Sequence, residues 1–235
     1  NLGVLNRMVD KMVHRGPDER GIYFSQIGAL GHRRLTIIDL VGGQQPMELP
    51  NKQGALVHNG EIYNYPEIRK NYLSDVQFSS SSDTEVLLHL LHRKGTGAIP
   101  FLNGMFVFAY WDIENHKVIF ARDPAGQKPL FYYFGSESFV FSSELSSLVC
   151  HPDVPRDIEV DSLAYYLLFE GYPHTRTPLK GVNKLSPGHF MVLDLRNWTI
   201  RNERYWENKP DPCSYNPMDE NKYLETFEEK LIQSM

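Results

Sequence analysis

Six short apolar runs, several of them with no helix between, constrain this chain more than any other feature. Residues 35–40, 55–58, 105–111, 118–122, 130–134 and 139–142 are rich in β-branched and aromatic side chains, as strands are. Gly42-Gly43, Asn115-His116 and Gly135-Ser136 punctuate them as turns. Parallel strands need a crossover of a dozen residues or more, so such close spacing favours antiparallel pairing. Leu5, Met8, Val9 and Met12 recur at helical spacing and stop before Gly16-Pro17. Tyr65-Pro66-Glu67 opens a second helix with proline in its first turn. A third begins at Ser82-Asp83-Thr84-Glu85, where Ser82 and Glu85 fit a capping box and Val86, Leu87, Leu90 and Leu91 mark a buried stripe. There Asp83 has a purely structural reading, an acid favoured by the helix dipole.

A length of 235 residues suits one large domain and an incomplete second element. With 24 basic against 29 acidic residues and no long Lys/Arg cluster, nucleic acid is excluded as a partner. No apolar run reaches the roughly 18 residues that a membrane span needs, and no signal-peptide pattern occurs, so the expected compartment is the cytoplasm. Cys150 and Cys213 are too far apart in sequence for a metal or disulfide framework; Cys150 reads as a small buried hydrophobe and Cys213 as an exposed linker thiol. Residues 208–218 contain Pro210, Pro212 and Pro217 and read as a linker. Residues 219–235 place Tyr223, Leu224, Phe227, Leu231 and Ile232 on one helical face that needs a surface to cover it, the expected start of a second domain.

Polar islands interrupt the apolar runs: His14-Arg15-Gly16-Pro17-Asp18, His32-Arg33-Arg34-Leu35, Asn59-Gly60-Glu61-Ile62-Tyr63-Asn64 and Ser82-Asp83-Thr84-Glu85. An Asn side-chain amide followed by an unhindered glycine N–H can present two donors to one developing negative oxygen. The alternative for Asn59-Gly60 is a hairpin turn. Together with Lys128-Pro129-Leu130 and Leu185-Ser186-Pro187-Gly188-His189, these segments resemble the glutaminase domain of asparagine synthetase, a class II glutamine amidotransferase, over residues 4–206. Pro124, Ala125 and Gln127 depart from the family pattern. The resemblance implies an α+β fold, the N-terminal-nucleophile hydrolase four-layer αββα sandwich of two antiparallel sheets. It further implies that Arg34 binds the α-carboxylate of glutamine, that Asp83 pairs with its α-amino group, and that the Asn59 side chain and Gly60 N–H form the oxyanion hole. No metal site is implied in this domain.

Family members begin with a catalytic cysteine whose own α-amine is the base. This chain begins at Asn1, so residues 1–207 are expected to be the amidotransferase domain without its first strand and nucleophile, inert alone. The leading expectation is a glutamine-dependent asparagine synthetase, in which ammonia amidates aspartate in a C-terminal synthetase domain using ATP and magnesium; residues 219–235 would begin that domain. The alternatives are a non-catalytic domain of a related amide- or β-lactam-forming synthetase, and the glutaminase of an enzyme making an amino sugar or purine precursor. Expected partners are glutamine and the synthetase domain, with homodimerisation left open.

Overall fold

The computed structural model describes residues 1–36, 42–173, 175–209 and 220–234. Helix α1 (Leu2–Asp10) opens the chain, and the Asn1 side chain caps it by accepting from the Gly3 N–H at 3.0 Å. Next come β1 (Glu19–Phe24), β2 (Ala29–Arg34), β3 (Met47–Glu48) and β4 (Gly54–Ile62), then α2 (Tyr65–Tyr72) and α3 (Asp83–Lys94). Strands β5 (Gly104–Asp112), β6 (Lys117–Arg122), β7 (Phe131–Phe134) and β8 (Phe139–Ser142) follow, and then α4 (Leu145–Leu148) and α5 (Val160–Phe169). Strands β9 (Val182–Lys184), β10 (His189–Asp194) and β11 (Thr199–Arg204) precede α6 (Glu220–Ser234).

A six-stranded antiparallel sheet in the order β11-β10-β6-β5-β4-β3 forms the central layer. Both its faces are buried, which is why β5 is almost continuously apolar. Phe106, Phe108 and Tyr110 pack with Leu56, Leu87 and Leu90 under α2 and α3, while Val107, Ala109 and Trp111 pack with Val57, Phe120 and Tyr132 on the other face. Each such side chain contributes about 1.5–3 kcal/mol of burial. The second sheet layer is in two pieces, the hairpin β1-β2 and the trio β8-β7-β9. Helices α1 and α4 cover it from outside through Val4, Met8, Val140 and Leu148. The result is the expected α+β sandwich, with one sheet layer divided.

Five of the six expected strands coincide with β4 to β8. The sixth does not: the strand in that part of the chain, β2, ends at Arg34, and residues 37–41 lie outside the described residues. Residues 210–219, and Cys213 with them, also lie outside. The capping box is half made. The Ser82 hydroxyl accepts from the Thr84 N–H at 3.2 Å, but the Ser82 N–H donates to the Ser80 hydroxyl. Glu85 is drawn away because the serine-rich turn offers it four donors, the N–H and hydroxyl of both Ser79 and Ser80, at 2.5–2.8 Å. Cys150 is half-buried rather than buried, its thiol donating to the Ser146 carbonyl at 3.4 Å. Among the described residues no helix is long and apolar enough to cross a membrane.

Candidate active site

Asn59 and Gly60 lie inside β4, paired with Val107 and Phe106 of β5, so the hairpin-turn reading fails. Gly60 has φ +135°, and a Cβ there would overlap the Met105 carbonyl oxygen; only glycine fits. On its other edge β4 pairs with β3 only at Ala55 and Leu56. Beyond that point side chains serve the edge. The His58 N–H donates to Gln45 Oε1 at 2.6 Å and the Ile62 N–H donates to Asp83 Oδ2 at 2.8 Å. Alternate amides of a strand point the same way, so the Gly60 N–H belongs to this row, between the two. The Asn59 amide reaches towards the Ser143 hydroxyl, 3.4 Å away.

Asp83 sits at the first residue of α3 as the capping pattern requires, yet its carboxylate is buried and turned to β4. A buried carboxylate is costly unless it is paired or hydrogen-bonded. His58 Nδ1 lies 4.0 Å from Asp83 Oδ2 and 3.3 Å from the Thr84 hydroxyl, while His58 Nε2 is buried with no hydrogen-bond partner among the described residues. Burial holds the His58 ring below the usual imidazole range, against the upward pull of Asp83. His32 Nε2 lies 3.1 Å from the His58 carbonyl oxygen, and desolvation pushes the His32 pKa down to about 4. Both rings are neutral hydrogen-bonding groups at pH 7.

Arg34 closes β2. It is a buried cation, not the surface residue that a strand end would allow, and its Nη1 donates to Glu19 Oε2 at 3.0 Å directly across the hairpin. Its neighbour Arg33 points elsewhere, donating to the Val9 carbonyl and to Asp10 and so tying β2 to α1.

Arg34, Asn59, Gly60 and Asp83 line one cavity of about 590 Å³, within the usual range for small-molecule sites. Arg15, His58, Lys128 and Ser143 share the wall, and none of them stood out in the sequence as a site residue. The cavity continues as a slot between the halves of the second sheet layer, past Gly31 of β2 and Phe139 and Phe141 of β8 to Leu5 and Met8 of α1. Cys150 does not border it.

A buried cation, a buried acid and the Asn59-Gly60 pair thus surround one cavity in a sandwich of antiparallel sheets. The family model for the glutamine amidotransferase domain matches residues 2–206, and the chain belongs to that family. It is 33% identical over 220 residues to asparagine synthetase [glutamine-hydrolyzing] 3 of Bacillus subtilis, covering 88% of this chain and 35% of that protein. It is 32% identical to a putative asparagine synthetase [glutamine-hydrolyzing] 2 of Methanocaldococcus jannaschii, covering 97% of this chain and 47% of the relative. The chain thus spans less than half the length of these relatives. The solved glutamine phosphoribosylpyrophosphate amidotransferase of B. subtilis shares the fold at a TM-score of 0.60 and 21% identity, over 88% of this chain and 47% of that one.

Proposed function

We propose that this chain binds free glutamine and, within a longer protein, hydrolyses its side-chain amide to supply ammonia. The observation that carries the reading is the convergence of Arg34, Asn59, Gly60 and Asp83 on one cavity. A guanidinium offers parallel N–H groups to the α-carboxylate, and a carboxylate accepts from the α-ammonium. A cation and an anion held apart measure the zwitterionic end of a free amino acid, which a residue within a peptide lacks. The amide carbonyl then faces Asn59 Nδ2 and the Gly60 N–H, donors set for the oxyanion that forms on attack.

The nucleophile belongs to a preceding strand, which we place in the slot between β2 and β8. Among the described residues β2 pairs only with β1 and β8 only with β7, so each has an edge to offer, and Val57, Val107 and Ala109 form an apolar floor. A terminal cysteine there attacks the amide carbon while its own amine takes the thiol proton and passes it to the departing ammonia. Water then cleaves the thioester to glutamate. On this reading residues 1–207 alone do not turn glutamine over. Residues 208–218 link to a synthetase domain that begins at 219–235, where ammonia amidates aspartate with ATP and magnesium, in the cytoplasm. The names of the longer relatives, asparagine synthetases that hydrolyse glutamine, support the asparagine-forming part of this reading.

In the full-length protein Arg34→Ala is expected to raise the KM for glutamine by about 10–100-fold, the value of a charge-assisted pair, and to leave ammonia-driven synthesis intact. An unchanged KM removes the clamp. A mature parent whose first residue is not cysteine moves the reading to a non-catalytic domain of an amide- or β-lactam-forming synthetase.

A further inference from the structure

We infer that Glu19 is the positioning residue for Arg34 and thereby sets how tightly the cavity holds the carboxylate end of its substrate. The inference rests on the glutamine reading above. An arginine side chain has about 2 kcal/mol of rotamer entropy to lose, so a guanidinium that must meet a carboxylate with two parallel N–H groups gains from being fixed beforehand. Glu19 is the cross-strand partner of Arg34, and its Oε2 accepts from Nη1 at 3.0 Å.

The side of approach decides whether Glu19 helps or competes. Arg34 borders both the large cavity and a second hollow lined by Glu19, Arg20, His32 and Gln44. Glu19 borders only the second. It therefore meets the guanidinium from outside the cavity wall and not from within the cavity. The same segment also fixes the Arg34 backbone. The Asp18 N–H donates to the Arg34 carbonyl at 3.1 Å, Asp18 Oδ2 accepts from the Thr36 N–H at 2.8 Å, and a Cβ on Gly16 would overlap the Arg33 carbonyl group. Residues 16–19 thus hold both ends of one side chain. Glu19 keeps 31% of its side chain exposed and Arg34 keeps 8%, which suits a support outside the wall and a working group within it.

The test compares glutamine with 4-aminobutanamide, which is glutamine without its α-carboxylate, as substrates of the full-length protein. Glu19→Gln is expected to raise the KM for glutamine about tenfold with kcat within about twofold, and to leave kcat/KM for 4-aminobutanamide unchanged. In an Arg34→Lys background, where no planar fork remains to be oriented, Glu19→Gln should add nothing. Tighter glutamine binding in Glu19→Gln overturns the inference, because Glu19 would then be a competitor. Equal losses on both substrates overturn it as well, since they report general damage. If Glu19→Gln folds poorly, Glu19→Asp, with the charge kept and the reach shortened, must show the same glutamine-only loss. A wild-type protein that hydrolyses 4-aminobutanamide as well as glutamine sinks the glutamine reading itself, and this inference with it.

Discussion

Helices α3 and α5 are both rich in leucine, α5 being the more apolar of the two, and they meet opposite fates. In α3, Leu87, Leu88, Leu90 and Leu91 are buried on the central sheet, and so are the polar residues Asp83, Thr84 and Glu85 of its first turn. In α5 only Ser162 is buried, while Leu167, Leu168 and Phe169 are 75%, 74% and 70% exposed. Backbone contacts at its base tie down the excursion that carries α5: Ile158 bridges Leu179, and the Glu159 N–H donates to the Pro178 carbonyl at 2.9 Å. Its ring contacts are local, such as Tyr166 stacked on Tyr172 at 5.3 Å. The informative positions in a folded chain are polar groups inside and large apolar groups outside, because each needs a reason. At α3 the reason is the cavity for Asp83 and Thr84 and the serine turn for Glu85. At α5 the apolar surface makes almost no contribution to the stability of the sandwich.

That contrast can be broken most directly by paired truncations. Leu88→Ala should cost about 3–5 kcal/mol in urea unfolding, and Leu167→Ala should stay within about 0.5 kcal/mol. Comparable losses at the two sites would mean that α5 is part of the core. Gly60→Ala is expected to cost about 3 kcal/mol from its positive φ and the overlap with Met105, and it should distort the cavity without touching the apolar layers. Glu85→Ala should cost about 2 kcal/mol, since it strands the donors of Ser79 and Ser80 at the start of α3. A Glu85 variant as stable as the wild type would show that the serine turn opens to water without penalty.

Burial on both faces is what made the central sheet legible, because Val118 to Ala121 and Phe106 to Trp111 have to be apolar whichever way they point. Two of the strands that escaped notice lack such a pattern for a physical reason, whereas β10 carries it in Phe190, Met191 and Leu193 and was passed over all the same. β2, with Gly31, His32, Arg33 and Arg34, borders the cavity and a salt bridge, so its side chains were chosen for chemistry rather than strand propensity. Among the described residues β11 pairs only with β10, and it is mostly exposed, which frees it to be polar. Arg34, Asn59, Gly60 and Asp83 were legible through motifs and Lys128 through its segment but with no role attached, whereas Glu19 and His58 gave no local signal. Glu19 acquires meaning only when the β1–β2 register sets it opposite Arg34.

The finest probe of the buried polar wall is pH. His32, with a folded pKa of about 4 against an ordinary 6.5, faces the His58 carbonyl, with the Arg34 cation also near and Glu19 beyond it on β1. A base whose pKa is lowered on folding is protonated more readily in the unfolded chain. Stability is therefore intact above 6.5 and declines as pH falls towards about 4. Between pH 7 and pH 6 the loss from this one ring should be under about 1 kcal/mol. The downward shift at His58 has the same sign. Other groups titrate over the same range, so the measurement is a difference: urea midpoints at the two pH values for the wild type and for His32→Gln, which cannot take up the proton. The variant should show a shallower decline. A decline equal to that of the wild type would mean that water reaches the ring, and that this side of the cavity is not the dry wall its hydrogen bonds describe.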